Sequence, residues 1–311
     1  MKKRKGCFIP LIILSLVIIA GAGFLGYSYF KVKGTADSIH KPIENRKKSE
    51  LRDSAVAIDR KDPISVALFG VDSNVTRLAT GDAGRSDTIM LLSINPSTKK
   101  TVMVSIPRDT YSTMVGKGTQ EKIAHAYAYG GAAMAVKSVE QLMGVPIDYY
   151  ATINMDGMKD MIDNVGGVKV VSNATFTVRN YQFVEGQAMK MDGNTAMAFI
   201  RSRKEDGSGG DFGRQERQQL VVQALAKKVL SVGSVSKLDG MLKTISGNVV
   251  TDLSFNELES LGTSYTAALD HVEKHQLEGT GQTLDDGLWY FMADEKNKQH
   301  IKALYMKNLN K

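Results

Sequence analysis

Cysteine is nearly missing from this chain: Cys7 is the only one among 311 residues. Disulfide stapling and a Cys-built zinc centre are thereby excluded for everything that follows, and the fold must rest on its apolar core. His-Glu-x-x-His, Gly-x-Ser-x-Gly and Walker-type loops are also lacking, which removes the usual zinc-peptidase, serine-hydrolase and P-loop readings. The five histidines (His40, His125, His271, His275, His300) are scattered without metal-ligand spacing. Charge of either sign is missing from Gly6 to Phe30. Arginine is missing after Arg217, so the last 94 residues carry their positive charge on lysine alone.

The uncharged stretch decides topology. Its 25 residues would span about 37 Å as a helix, enough to cross a ~30 Å hydrocarbon core with some tilt. Lys2, Lys3, Arg4 and Lys5 precede it and favour a cytoplasmic N-terminus. A cleaved signal peptide ending at Ala20-Gly21-Ala22 is the alternative. The apolar character continues through Phe24, Leu25, Tyr27, Tyr29 and Phe30, beyond the about 7–15 residues of a signal h-region. The expectation is a single-pass type II protein of the cell membrane: cytoplasmic tail 1–5, anchor 6–30, extracellular stem 31–61, domain 62–311. Of the net charge of +7, six positive charges fall in residues 1–33, which hold no acid, leaving +1 for the rest. That balance removes the electrostatic case for a nucleic-acid partner.

Along the domain, Ser65–Phe69, Thr88–Ile94 and Thr101–Ile106 read as buried strands, the last two a hairpin about Asn95-Pro96-Ser97-Thr98. The Ala-rich segment 124–143 predicts a helix interrupted at Gly130-Gly131 and stopped at Gly144-Val145-Pro146. Strands at 149–153 and 168–171 flank a helix at 156–164. Helices are also predicted at 194–199, 214–230 and 255–269, a hairpin at 275–291, and a C-terminal helix. Strands mixed with helices throughout argue for a three-layer α/β/α sandwich with a central mixed sheet, preceded by one transmembrane helix.

The arginines gather in mid-chain: Arg85, Arg108, Arg201, Arg203, Arg214 and Arg217. General solubility would be served equally by lysine, so the split points to planar, bidentate recognition of phosphate or carboxylate. Arg85 precedes one strand and Arg108 follows another. Arg201 and Arg203, if extended, share a face at period two. Arg214, Arg217 and Gln218 share a helical face near a helix N-terminus. Asp72, just past the first strand, and Asp87 join them, and carboxylates beside phosphates call for a divalent cation between them. The set reads as a pyrophosphate site with a metal, against the blander reading of surface ion pairs.

The strings Gly70-Val71-Asp72-Ser73, Gly84-Arg85-Ser86-Asp87-Thr88 and Ser105-Ile106-Pro107-Arg108-Asp109-Thr110 resemble the LytR-CpsA-Psr family. So do Lys122-Ile123-Ala124-His125-Ala126-Tyr127, Asp163-Asn164-Val165-Gly166-Gly167, Arg201-Ser202-Arg203 and Asp211-Phe212-Gly213-Arg214-Gln215-Glu216-Arg217-Gln218. The motifs occur in order over roughly residues 62–230. The loop from Ser73 to Gly84 is long for its motif pair, and Ala124 stands where many members carry Asn.

The resemblance implies a phosphotransferase of the Gram-positive cell wall. Such an enzyme moves teichoic acid or a related anionic glycopolymer from undecaprenyl pyrophosphate to the 6-hydroxyl of N-acetylmuramic acid in peptidoglycan. It implies Mg²⁺ (Mn²⁺ the alternative) on Asp72 and Asp87. Arg85, Arg108, Arg201, Arg203, Arg214, Arg217, Gln218 and Lys122 would grip the pyrophosphate, and an apolar tunnel would lie between sheet and helices. Arg108, Asp87 and Asp109 would carry the chemistry, with either carboxylate as proton acceptor. A polyprenyl-pyrophosphate phosphatase, a non-catalytic wall or lipid-binding scaffold and a transcriptional attenuator are the rivals; extracellular topology and the +1 balance weigh against the last.

Overall fold

A computed structural model describes residues 29–72, 84–230 and 235–311. The basic tail, most of the predicted anchor and residues 73–83 of the long loop lie outside the described residues. Among those described, no helix is long and apolar enough to cross a membrane.

Strand β1 (Ile64–Val71) is centrally placed because both of its faces are apolar. It pairs antiparallel with β2 (Ser86–Asn95), which pairs antiparallel with β3 (Lys100–Ile106). The fourth and fifth strands, β4 (Tyr111–Thr113) and β5 (Gln120–Lys122), form a small hairpin after β3. On the other side β6 (Tyr149–Asn154) runs parallel to β1. The edges are the short strands Val249–Thr251, antiparallel to β6, and His271–Gln276, parallel to β3. The result is a six-stranded mixed sheet.

Strand parity sorts the core into layers. Ala67, Phe69, Val71, Ile89, Leu91, Val102, Val104 and Ile106 face helix α1 (His125–Met143) and the C-terminal helix Glu295–Asn308. Ile64, Val66, Met90, Leu92 and Met103 face the opposite way, toward Ile58, Leu253 and Tyr265. On that second side α2 (Met155–Asn164), α3 (Gly193–Arg201) and α4 (Gly210–Leu230) build a further core around Ile162, Phe183, Phe199 and Val221. Its outer rim carries β7 (Val168–Val171) paired with β10 (Ala188–Met191), and the hairpin of β8 (Phe176–Val178) and β9 (Tyr181–Phe183). The mixed α/β architecture is the expected one. Helix α1 does break at Gly130-Gly131, and Gly144 ends it with a left-handed φ of 62°.

Three segments differ from expectation. His275 belongs to the main sheet, and the C-terminal hairpin starts only at Gly279, pairing Gly279–Thr283 with Trp289–Ala293. The helix at Phe255 ends at Ser264 and gives way to a 3-10 turn at Thr266–Leu269. The segment read as a stem is packed on the domain: residues 29–39 are helical, Ala36 and Ile39 are buried, and Arg46 and Arg52 pair with Glu140 and Asp148.

Candidate active site

The ends of β1, β2 and β3 deliver the acidic and basic groups to one rim of the sheet. Asp72 leaves β1 with its amide donating to the carbonyl of Arg85 at 3.2 Å, which sets it beside the strand that carries Asp87. Arg108 leaves β3 after Pro107 and turns back, its Nη1 on Asp87 Oδ1 at 2.9 Å. Asp109 lies between two cations: its Oδ2 is 3.5 Å from Arg108 Nε and its Oδ1 is 2.9 Å from Lys122 Nζ. Burial opposes the charge on Arg108, but Asp87 and Asp109 more than offset it and hold the guanidinium above its ordinary pKa. Arg85, exposed, stands two residues before Asp87 at the same rim.

Backbone bonds clamp this corner. The amide of Ile123 donates to Thr110 O at 2.8 Å and that of Ala124 to Arg108 O at 3.0 Å, while Ala124 O accepts from the amide of Ser86 at 3.3 Å. Ala124 thus ties the Arg108 turn to β2 through its backbone, a role for which the side chain is indifferent. The C-terminal hairpin closes the other side: the amide of Phe291 donates to Asp109 O at 2.9 Å, and Tyr290 lies edge-on to Tyr111 with ring centres 5.0 Å apart.

From the helical layer come Arg203 and Arg214. Asp211, in the first turn of α4, binds Arg214 Nη2 at 2.9 Å and lies 3.7 Å from Arg203 Nη1. Burial lowers the pKa of Arg214; Asp211 opposes the shift, Arg108 and Arg203 add to it, and Asp87 again opposes. The charges of Arg108, Arg203 and Asp87 all act on Arg214, so the helical arginines and the strand-end residues share one field. Arg214 Nε is buried with no hydrogen-bond acceptor among the described residues. A buried, charged donor without an acceptor is costly, and an incoming oxyanion would supply one.

Not every expected residue joins them. Arg217 is wholly buried. It donates from Nε to Phe199 O at 2.8 Å, from Nη1 to Ser208 O at 2.8 Å and from Nη2 to Ser202 O at 2.6 Å. Its guanidinium stacks over Phe176, 4.7 Å from the ring centre. Burial pulls its pKa down to about 10. Enclosed in this way, Arg217 fastens the 199–208 loop instead of gripping pyrophosphate. Gly213 permits the approach, since a Cβ there would lie 2.2 Å from Ser208 O. Arg201 also departs from the expectation: it is the last residue of α3, not extended, so it does not share a face with Arg203 and lines a neighbouring cleft. Asp211, the clasp of Arg203 and Arg214, was missed as a site residue, although its i, i+3 spacing to Arg214 is a helical ion-pair signal.

Asp72 and Asp87 offer oxygen donors only, with no thiol or imidazole among the described residues gathered at the rim, a set suited to a hard divalent cation. Beside the rim an apolar slot enters between sheet and helices. Leu68 and Met90 line its sheet side, Met158, Ile200 and Val222 its helix side, and Gln218, Gly70 and Thr88 also border it. Its free volume is about 40 Å³.

Residues 26–307 match the LytR_cpsA_psr family. Over 311 residues the chain is 39% identical to the polyisoprenyl-teichoic acid–peptidoglycan teichoic acid transferase TagU of Bacillus subtilis strain 168, covering all of this chain (100%) and 98% of that protein. Its fold is similar to the crystal structure of B. subtilis TagU, with a TM-score of 0.66 at 37% identity over 81% of this chain and 98% of the other. It is similar also to TagT bound to LIIa-WTA, with a TM-score of 0.71 at 27% identity over 88% of this chain and 100% of the other.

Proposed function

The chain belongs to the LytR-CpsA-Psr family, and on that premise we propose that it is a membrane-anchored phosphotransferase of the cell wall. Its donor is a teichoic acid or related anionic glycopolymer on undecaprenyl pyrophosphate, and its acceptor is the 6-hydroxyl of N-acetylmuramic acid in peptidoglycan. Residues 6–30 anchor it, with the N-terminus cytoplasmic and the domain outside. The observation that carries this reading is the convergence of Arg108, Arg203 and Arg214 with Asp87 beside an apolar slot. A diphosphate needs the first part and a polyprenyl tail needs the second.

In this mechanism the sugar hydroxyl attacks the phosphorus next to the polymer and undecaprenyl phosphate leaves. The reaction asks little covalent chemistry of the protein, and positioning with charge neutralisation carries the catalysis. Arg108 neutralises charge on the departing phosphate, and Arg203 and Arg214 orient the diphosphate, Arg214 Nε gaining the acceptor it lacks. Mg²⁺ or Mn²⁺, held by Asp72 and Asp87, supplies further neutralisation of phosphate oxygens when bound. Asp87 and Asp109 are the two candidate acceptors of the hydroxyl proton; an Asp87 that holds the cation is the weaker base, and Arg108 and Lys122 flank Asp109.

The test uses the full-length protein in nonionic detergent with Mg²⁺, an undecaprenyl-pyrophosphate-linked sugar and peptidoglycan. Sugar phosphate bound covalently to peptidoglycan is expected, with Arg108→Ala losing about 10²–10³ in kcat. Free sugar phosphate in place of the conjugate would point to a phosphatase. Tight donor binding without any product would point to a scaffold.

A further inference from the structure

Next to the arginine centre lies a second cleft of about 680 Å³, between the β8–β9 hairpin and helices α2 and α3. Asn194, Met197, Ala198 and Arg201 line it from α3; their i, i+3, i+4, i+7 spacing is one helical face. Arg179 enters from the hairpin loop and Lys159 from α2. Arg179 and Arg201 are exposed, and neither has an ion-pair partner among the described residues. Lys159 is 3.0 Å from Asp163. Glu205 is the acidic group on the wall, and its Oε2 accepts from the amides of Arg203 at 2.8 Å and Lys204 at 3.1 Å. The cleft is therefore left with an excess of positive charge.

Arg179 holds a left-handed φ of 53° as the first of two loop residues between the paired Val178 and Tyr181. Glycine or asparagine is the usual occupant of such a position, and a larger L-residue there is strained by its Cβ. Strain kept at one residue points to a demand other than local stability, and here the residue presents a guanidinium to the cleft. Val178, Tyr181 and Met197 place apolar surface between the cations.

A chain of phosphodiesters separated by short polyol segments has the same alternation of anionic and carbon surface, and guanidinium forks match its phosphates. The cleft also adjoins the centre. Arg201 belongs to the cleft and Arg203 to the Asp211–Arg214 group, and two residues of chain reach no more than about 7 Å. We propose that this cleft is a subsite for the phosphodiester groups of the polymer itself, with Arg179 and Arg201 binding repeats beyond the reacting pyrophosphate. The inference rests on the transferase reading above and deepens it: the donor is recognised as a polyanion and not only by its diphosphate.

The test titrates full-length protein in nonionic detergent with a fluorescent, lipid-free oligo(glycerol phosphate), followed by anisotropy over a range of salt. Arg179→Gln and Arg201→Gln should each weaken binding about fivefold and flatten its salt dependence. Arg179→Gly should lose the same affinity while keeping or raising Tm, because it relieves the left-handed residue. In transfer assays, the preference for a polymeric over a single-repeat donor should fall by the same factor in Arg179→Gln. Oligomer binding unchanged in both glutamine variants would overturn the proposal. So would a loss confined to vesicles of anionic lipid, which would assign the cleft to lipid headgroups. Arg179-dependent oligomer binding in a protein that transfers nothing from any donor would sink the transferase reading and leave the subsite standing.

Discussion

Arg217 donates to three buried carbonyls, so Arg217→Gln strands acceptors and should cost about 3–5 kcal/mol, read as a large fall in Tm. Arg214 stands one turn earlier with Nε lacking an acceptor among the described residues and with Arg108 and Arg203 working against its charge. Arg214→Gln should therefore leave Tm level or higher while kcat falls about 10²–10³. Equal thermal penalties for the two would remove the distinction. The sequence shows both residues on one helix, and the i, i+3 relation invites treating them as one grip. Phase does not separate them: Val221 and Leu225, both buried, lie seven and eleven positions beyond Arg214 and four and eight beyond Arg217, so the inward stripe takes in Arg214 as well as Arg217. What spacing cannot reveal is that carbonyls await Arg217 there, because they come from a loop whose path depends on the tertiary fold.

At the scale of elements, the N-terminal segment carries the clearest test. Arg52 binds both oxygens of Asp148, from Nε at 2.9 Å and from Nη2 at 2.5 Å, across 96 residues of sequence. Arg46 reaches Glu140 with both Nη groups, at 3.1 and 2.9 Å. Removing one partner of a buried pair costs about 3–5 kcal/mol, so Arg52→Ala should melt well below the parent. A fragment starting at Lys61 should be less stable still than one starting at Lys31; matching melting curves would contradict this packing. Composition reads the segment as a solvated stem because it has no apolar stripe. Its attachment rests on a few isolated apolar residues and two arginines whose partners are remote, and neither feature has a local periodicity. The strands of the core, by contrast, were legible as apolar runs because both faces of the sheet are covered. At the same seam, burial pushes Asp252 up to about 7 while its carboxylate accepts from the amide of Tyr150 at 2.7 Å. An unfolded Asp titrates near ~3.9, so between these values the folded chain holds a proton that the unfolded chain lacks. Stability from this group is greatest below that window and declines as pH rises through it. Asp252→Asn should flatten the decline in Tm between about pH 4 and 7; an unaltered pH profile would contradict the assignment.

At the scale of the molecule, the two helical layers differ in how firmly they meet the sheet. The α1 side is a continuous apolar core from Ala67 to Tyr305. On the α2–α4 side the slot of about 40 Å³ holds little more than one water's share of liquid, ~30 Å³. On the proposed function, a polyprenyl chain can enter only if α2, α3 and α4 move away from Leu68 and Met90, and donor binding would then open this seam. The resemblance names a tunnel, but its walls are indistinguishable in sequence from an ordinary core, since both are made of the same apolar residues at the same periods. Val222 borders the slot and is only partly buried, so a larger side chain there obstructs entry with limited damage to packing. Overfilling such a site costs about 1–3 kcal/mol, which on binding corresponds to roughly ten- to a hundredfold. Val222→Phe should raise KM by that order for a full undecaprenyl donor and leave a sugar pyrophosphate without a lipid, which has nothing to place in the slot, nearly unaffected. A parallel rise for both donors would mean that the substitution disturbs the arginine centre instead, and the slot would no longer be the path of the lipid.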